Sequence, residues 1–88
     1  MGALVQSIVF TIRAGLDSDE RHLVLERVGT FPGVHRAAAL SPHAKNPETQ
    51  RMCYAYVADG ADVESIRREI AAQPEVETAA IPAQRGLV

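Results

Sequence analysis

The sequence predicts an α+β fold in which four strands form one antiparallel sheet and two helices cover one of its faces. Period-two and helical hydrophobic patterns alternate along the 88 residues in the order βαββαβ. The two halves also resemble each other, because residues 31–39 and 73–81 share a proline, a valine and two alanines at matching places. Two βαβ units side by side, each with a right-handed crossover, give this sheet. Residues 1–88 are therefore expected to form a single domain of the split βαβ, ferredoxin-like type.

Four segments have the composition and length of strands: Ser7–Arg13, Val34–Leu40, Met52–Val57 and Val76–Ile81. The first alternates apolar and polar residues, with Ile8, Phe10 and Ile12 on one face. The second has weaker β propensity because it contains three consecutive alanines. The polar, proline-containing stretch 41–50 is predicted to be an exposed loop.

Two segments carry the apolar stripe of an amphipathic helix. Asp17 and Glu20 have the spacing of a capping box at the start of the first helix. Glu64 and Arg68 have the order that favours an i,i+4 ion pair on the second. The predicted stripes are Val24, Leu25, Val28 and Phe31 in the first helix, and Val63, Ile66, Ile70 and Ala71 in the second.

The composition argues against several classes of partner. The net charge is −2 and the nine basic residues are scattered, so no nucleic-acid partner is expected. No apolar run approaches the length of a membrane span, and the first residues lack the charged start and cleavage site of a signal peptide. The single cysteine, Cys53, cannot form an internal disulfide. We therefore expect a cytoplasmic protein with no membrane partner.

The third strand indicates where a partner would bind. Either Cys53, Ala55 and Val57 face the helices, or Met52, Tyr54 and Tyr56 do. Small and β-branched residues fit beneath helices better than tyrosine hydroxyls that need partners. The predicted partner-binding sheet face therefore comprises Val9, Thr11, Met52, Tyr54 and Tyr56. The alternative, in which a tyrosine closes the edge of the core, stays open.

No residue pattern predicts catalysis or a cofactor. The candidate soft ligands, His22, His35, His43 and Cys53, have no metal-site spacing. No nucleophile elbow or glycine-rich phosphate loop is present in the sequence. The stretch Tyr54–Val57 resembles the central segment of RNA-recognition motifs, but Met52 and Cys53 stand where that family has a basic residue and a glycine.

Two resemblances rest on the phrase Pro32-Gly33-Val34 after a helix, which Pro74-Glu75-Val76 repeats. The chain resembles the small regulatory domains of the ACT and Lrp-type ligand-binding class. That resemblance implies sheet- or edge-mediated dimers that hold small-molecule effectors at subunit junctions. The chain is also similar to heavy-metal-associated domains, whose Cys-x-x-Cys lies in the loop after the first strand. Residues 14–18 contain no cysteine, so metal handling does not carry over.

A third resemblance is to subtilisin propeptides and their stand-alone inhibitor relatives, through residues 54–58, the second helix and residues 73–76. It implies that the bare sheet face docks on a protease and that the tail enters the active site. The inhibitory tail here would be Arg85, Gly86, Leu87 and Val88.

The leading prediction is a non-enzymatic binding or regulatory module that acts through its exposed sheet face, as a homodimer or docked on a protein partner. A propeptide-like protease inhibitor or folding chaperone is the first alternative. A small enzyme with its pocket at a dimer interface is the second.

Overall fold

The computed structural model describes residues 6–41, 45–58 and 60–82, and in these ranges four strands form one open antiparallel sheet. The strands are β1 (Gln6–Ile12), β2 (Val34–Ala39), β3 (Met52–Val57) and β4 (Val76–Ala80). Their order in the sheet is β2-β3-β1-β4, so each half contributes one central and one edge strand. The predicted α+β fold is confirmed, and this order is compatible with a ferredoxin-like arrangement.

Two main helices cover one face of the sheet, and a short helix lies in the connection between β2 and β3. The main helices are α1 (Ser18–Gly29) and α3 (Val63–Ala71), and the short one is α2 (Pro47–Gln50). The prediction of an exposed loop over 41–50 was therefore wrong for residues 47–50. Proline is well suited to the first position of a helix because its fixed φ is helical and its missing N–H is not needed there.

The start of α1 has the predicted capping box. Asp17 Oδ1 accepts a hydrogen bond from the Glu20 N–H at 2.8 Å, and Glu20 Oε1 accepts one from the Asp17 N–H at 2.9 Å. Asp62 caps α3 in a similar way, because its side chain accepts from the Ser65 N–H at 3.2 Å. The two caps fix where the helices begin over the sheet.

The core lies between the helices and one face of the sheet. Its buried members are Ile8, Phe10, Ile12, Val24, Val28, Cys53, Ala55, Val57, Ile66, Ile70 and Val76. Leu25, Phe31 and Val63 pack against them. Ala71, predicted to belong to the α3 stripe, is exposed instead. At 100° per residue it lies about 80° round the helix from Val63, beyond the narrow buried stripe.

The repeated Pro-x-Val phrase forms the same turn in both halves. The Val34 N–H donates to the Phe31 carbonyl at 3.0 Å, and the Val76 N–H donates to the Gln73 carbonyl at 3.0 Å. Gly33 has a φ of +88°, whereas Glu75, at the matching place, does not have a positive φ. The two turns therefore enter β2 and β4 with the same hydrogen bond but different backbone conformations.

Candidate functional site: the open sheet face

The open face is the face of the sheet that the helices do not cover. In β3 the side chains of Cys53, Ala55 and Val57 are buried beneath the helices, so Met52, Tyr54 and Tyr56 lie on the open face. The predicted orientation of this strand is confirmed. Because neither tyrosine points toward the core, the alternative in which one closes the core edge is wrong.

The middle of the open face is an apolar row that crosses all four strands. Tyr54 lies opposite Ala38 of β2 on one side and Val9 of β1 on the other, and Val9 lies opposite Ala80 of β4. Directly opposed residues of an antiparallel pair have neighbouring side chains on the same face. This row therefore offers a continuous apolar strip with one phenol group.

Two further rows flank the strip. On one side Tyr56 lies opposite Arg36 and Ser7. On the other side Met52 lies opposite Thr11, which is itself opposite Thr78. The Leu40 N–H donates to the Met52 carbonyl at 2.9 Å, so Leu40 extends β2 beside Met52. All five residues predicted to form the binding face thus share one surface.

The two tyrosine rings are neighbours on this surface. Their centroids are 4.7 Å apart and the rings are tilted by 52°, within the range of favourable aromatic pairs. Tyr54 and Val9 are half-buried, while Met52, Tyr56 and Leu40 are 38%, 41% and 45% exposed. The most accessible apolar area therefore lies at the β2–β3 side of the face.

Sequence reasoning missed Arg36, Ala38, Leu40, Thr78 and Ala80 as members of the same face. Their positions depend on which strands are neighbours and on register, which no local pattern specifies. In β2 the signal is weakest, because alanines occupy both faces at Ala37, Ala38 and Ala39.

An open groove of about 670 Å³ runs along β2 on the side of α1. The α1 residues Ser18, Arg21, His22, Leu25 and Glu26 line one wall. Residues 36–41 line the other wall, and Gln50, Cys53 and Tyr54 complete the lining. We call this the β2 groove. It is the second candidate site, and no sequence pattern pointed to it because its walls are about 15 residues apart in the chain.

Three side chains that are charged at neutral pH line the β2 groove: Glu26, Arg21 and Arg36. Glu26 has a partner within the groove, whereas both arginines keep hydrogen-bond donors that no described residue uses. Glu26 Oε2 lies 3.1 Å from His22 Nε2. Arg21 donates from Nη1 to the Leu16 carbonyl at 2.9 Å, which leaves its other N–H groups for a ligand. Arg36 forms no hydrogen bond or ion pair with any residue the structure describes.

Cys53 is an inert part of the core. Burial raises the pKa of its thiol to about 11, although the nearby charge of Arg21 partly opposes the shift. Its Sγ lies 3.5 Å from the Arg51 carbonyl. A protonated thiol is a poor nucleophile and a poor metal ligand at neutral pH.

Those of the remaining candidate residues that the structure describes do not form a recognisable site. Within the described ranges, His, Cys, Asp and Glu form no group of three or more that could hold a metal ion. His22 lies on α1 and His35 is exposed on β2, whereas His43 lies outside the described residues. The proposed inhibitory tail, Arg85, Gly86, Leu87 and Val88, also lies outside them. No helix in the described part of the chain is long and apolar enough to cross a membrane.

Compared with known proteins, the sequence matches no protein-family model and no curated protein. The assignment of a function therefore rests on the open face and the β2 groove.

Proposed function

We propose that this chain is a non-enzymatic binding module of the cytoplasm that associates with a second copy of itself through the open sheet face. The observation that carries the proposal is the apolar row of Ala38, Tyr54, Val9 and Ala80 across all four strands. Apolar area of this kind on a sheet face, rimmed by polar side chains, is typical of an interface.

The chemistry of the face favours packing over catalysis. In the three rows described above, the side chains are apolar groups, hydroxyl groups and one guanidinium, that of Arg36. Tyrosine and methionine supply large contact areas at interfaces, and tyrosine also offers a hydroxyl that bonds at the rim. Two such faces stack in aligned or orthogonal packing of sheets, with the inner side chains interdigitated.

The size of the face indicates a weak association. Four strands about 4.8 Å apart and five residues rising about 3.3 Å each give a face of about 300 Å². The accessible surface of the side chains is larger than this flat footprint, but stable dimers bury about 800 Å² of accessible surface per partner. Side chains at the rim, such as Leu40, add to the buried area, and the expected dimer depends on protein concentration.

Sedimentation velocity over a concentration series tests the proposal. The parent chain should shift toward a dimer as concentration rises, and Tyr56→Lys should stay monomeric because it places a charge in the contact. Leu23→Lys is the matched control, since Leu23 is 58% exposed on α1 and lies away from the open face. A parent that stays monomeric throughout, or a Tyr56→Lys variant that dimerises like the parent, would contradict it.

A further inference from the structure

The two edges of the sheet differ in how their backbone is covered. The edge strands are β2 and β4. On β4, the Ala79 carbonyl accepts a hydrogen bond from Arg67 Nη1 at 3.3 Å, and Pro82 follows the strand. Side-chain cover and proline are devices that keep an edge from pairing with another chain. No described side chain hydrogen-bonds to the backbone of Ala37 or Ala39 on β2.

The hydrogen-bond pattern shows which groups of β2 face outward. The bond from the Leu40 N–H to the Met52 carbonyl makes these two residues a hydrogen-bonded pair. Such pairs alternate along an antiparallel ladder, so Ala38 also bonds to β3 while Ala37 and Ala39 direct their N–H and C=O groups to the open edge. The outward groups of β2 are therefore at Ala37 and Ala39.

The β2 groove lies where an added strand would place its side chains. Ala37 and Ala39 are opposite Ala55 and Cys53, so their side chains lie on the helix side of the sheet. Residues of an added strand that pair with these two alanines would point into the groove, toward α1. The small alanine side chains leave room for them.

The charges that line the groove select the ligand. The lining has one carboxylate, Glu26, and two guanidinium groups, Arg21 and Arg36, so positive charge prevails. Arg21 keeps free donors and Arg36 has no partner among the described residues. Arg21 lies near Cys53, and Cys53 lies opposite Ala39 in the sheet. Leu25 follows Arg21 by about one turn of α1. Arg36 is on the open-face side of the same strand. Guanidinium groups bind carboxylates in bidentate geometry, so the walls favour an acidic ligand.

We propose that the β2 groove binds an extended acidic peptide, which adds to the sheet as a strand against β2. Main-chain hydrogen bonds to Ala37 and Ala39 would hold the peptide, and alternate side chains would give specificity. An acidic residue opposite Ala39 would meet Arg21, an apolar residue opposite Ala37 would meet Leu25, and an acidic residue opposite Arg36 would meet its guanidinium. The peptide would lie along the edge of β2 and the second copy on the open face, and the two contacts share Arg36. Ala37→Pro and Tyr56→Lys, which each change only one of the two contacts, test them separately.

Fluorescence polarisation with a labelled, N-acetylated six-residue peptide containing Glu-Thr-Val-Glu tests the proposal, with a Lys-Thr-Val-Lys peptide as control. The acidic peptide should saturate the parent chain with a Kd below about 1 mM, and the lysine peptide should not bind.

Ala37→Pro removes one outward N–H and no bond to β3, so it should weaken binding about five- to tenfold. Arg36→Glu should weaken it at least as much, whereas Arg68→Glu, on the outer side of α3, should leave it unchanged.

A second measurement does not depend on the folding of a variant. Methylation of the backbone nitrogen of the valine removes a donor of the peptide itself and should weaken binding to the parent chain by a similar factor. Lack of saturable binding, or binding that neither Ala37→Pro nor the methylated peptide affects, overturns the proposal. A parent dimer that Ala37→Pro converts to monomer also overturns it, because the β2 edge is then occupied by a second copy.

Discussion

Arg27 and Glu75 form a bidentate ion pair that joins the last turn of α1 to the turn before β4. Arg27 Nη1 lies 2.8 Å from Glu75 Oε1, and Nη2 lies 3.3 Å from Oε2. This hydrogen bonding raises the pKa of the Arg27 guanidinium and lowers the pKa of the Glu75 carboxyl. Glu75 stands at the turn position that Gly33 occupies in the first half of the chain. The turn before β4 therefore has a side-chain contact to α1 that Gly33, which has no side chain, cannot make in the turn before β2.

The pair predicts a pH-dependent contribution to stability. Because the pKa of folded Glu75 lies below its ordinary value of 4.5, the contribution is present above pH 4.5 and is lost as pH falls through the folded pKa. The side chains are 42% and 27% exposed, so we expect about 1 kcal/mol or less. Urea melts should show Glu75→Gln less stable than the parent at pH 7 and equal to it at pH 2. Glu69→Gln, at an exposed α3 site, is the control, and a Glu75→Gln deficit that persists at pH 2 would exclude this origin.

Truncation of the core beneath each helix should be costly. Val28 and Ile70 are fully buried, one on each main helix. We expect Val28→Ala and Ile70→Ala to lower the free energy of unfolding by about 1–4 kcal/mol through lost burial and the cavity left behind. Leu23→Ala, at an exposed position of α1, should change it by less than about 0.5 kcal/mol. Equal urea midpoints for all three variants would mean that the helix faces are assigned incorrectly.

Replacement of two glycines by alanine should change the stability of the fold in opposite directions. A Cβ at Gly33, where φ is +88°, would lie 3.0 Å from Ile66 Cδ1, so Gly33→Ala should destabilise the chain by about 1–3 kcal/mol. A Cβ at Gly29 would meet no atom within 4 Å, and Gly29→Ala should stabilise α1 by up to about 1 kcal/mol. Thermal melts measure both. A change of the same sign at both positions would contradict the described turn.

Cys53 should make the fold sensitive to alkali. The pKa of the folded thiol is about 11, against an ordinary value of 9.0. Between pH 9 and 11 only the unfolded thiol ionises, so the contribution of the buried thiol to the free energy of unfolding is complete below pH 9 and is lost across this range. Urea melts across this range should fall less steeply for Cys53→Ala than for the parent. An aromatic disulfide reagent at pH 8 should label the parent no faster than the chain unfolds, and immediate labelling of the native protein would contradict the burial.

The sequence predicted those features that depend on local patterns. The alternation in β3, with the cost of burying tyrosine hydroxyls, correctly assigned Tyr54 and Tyr56 to the open face. The spacing of Asp17 and Glu20 correctly located the start of α1. The apolar stripe predicted for the second helix included one residue too many, Ala71. Alanine occurs on both the buried and the exposed faces of helices, so its place directly after Ile70 did not show that it was exposed.

Non-local features could not be predicted from the same patterns. The pairing of Arg36 with Tyr56 depends on register between β2 and β3, and three alanines in β2 provide no alternation from which to read it. The β2 groove exists only when α1 packs beside β2, since Arg21 and Arg36 come from different elements. The short helix α2 was hidden because its four residues have the composition of a turn.

The most direct test of the open-face contact uses the tyrosines themselves. The chain has two tyrosines and no tryptophan, so its intrinsic fluorescence comes from Tyr54 and Tyr56 on that face. Acrylamide quenching should be measured at concentrations where sedimentation finds monomer and where it finds dimer. We predict that the quenching constant falls as the dimer forms and that Tyr56→Lys, which stays monomeric, shows no such fall. A dimer whose tyrosines are quenched as strongly as those of the monomer would contradict the claim that this face is the contact.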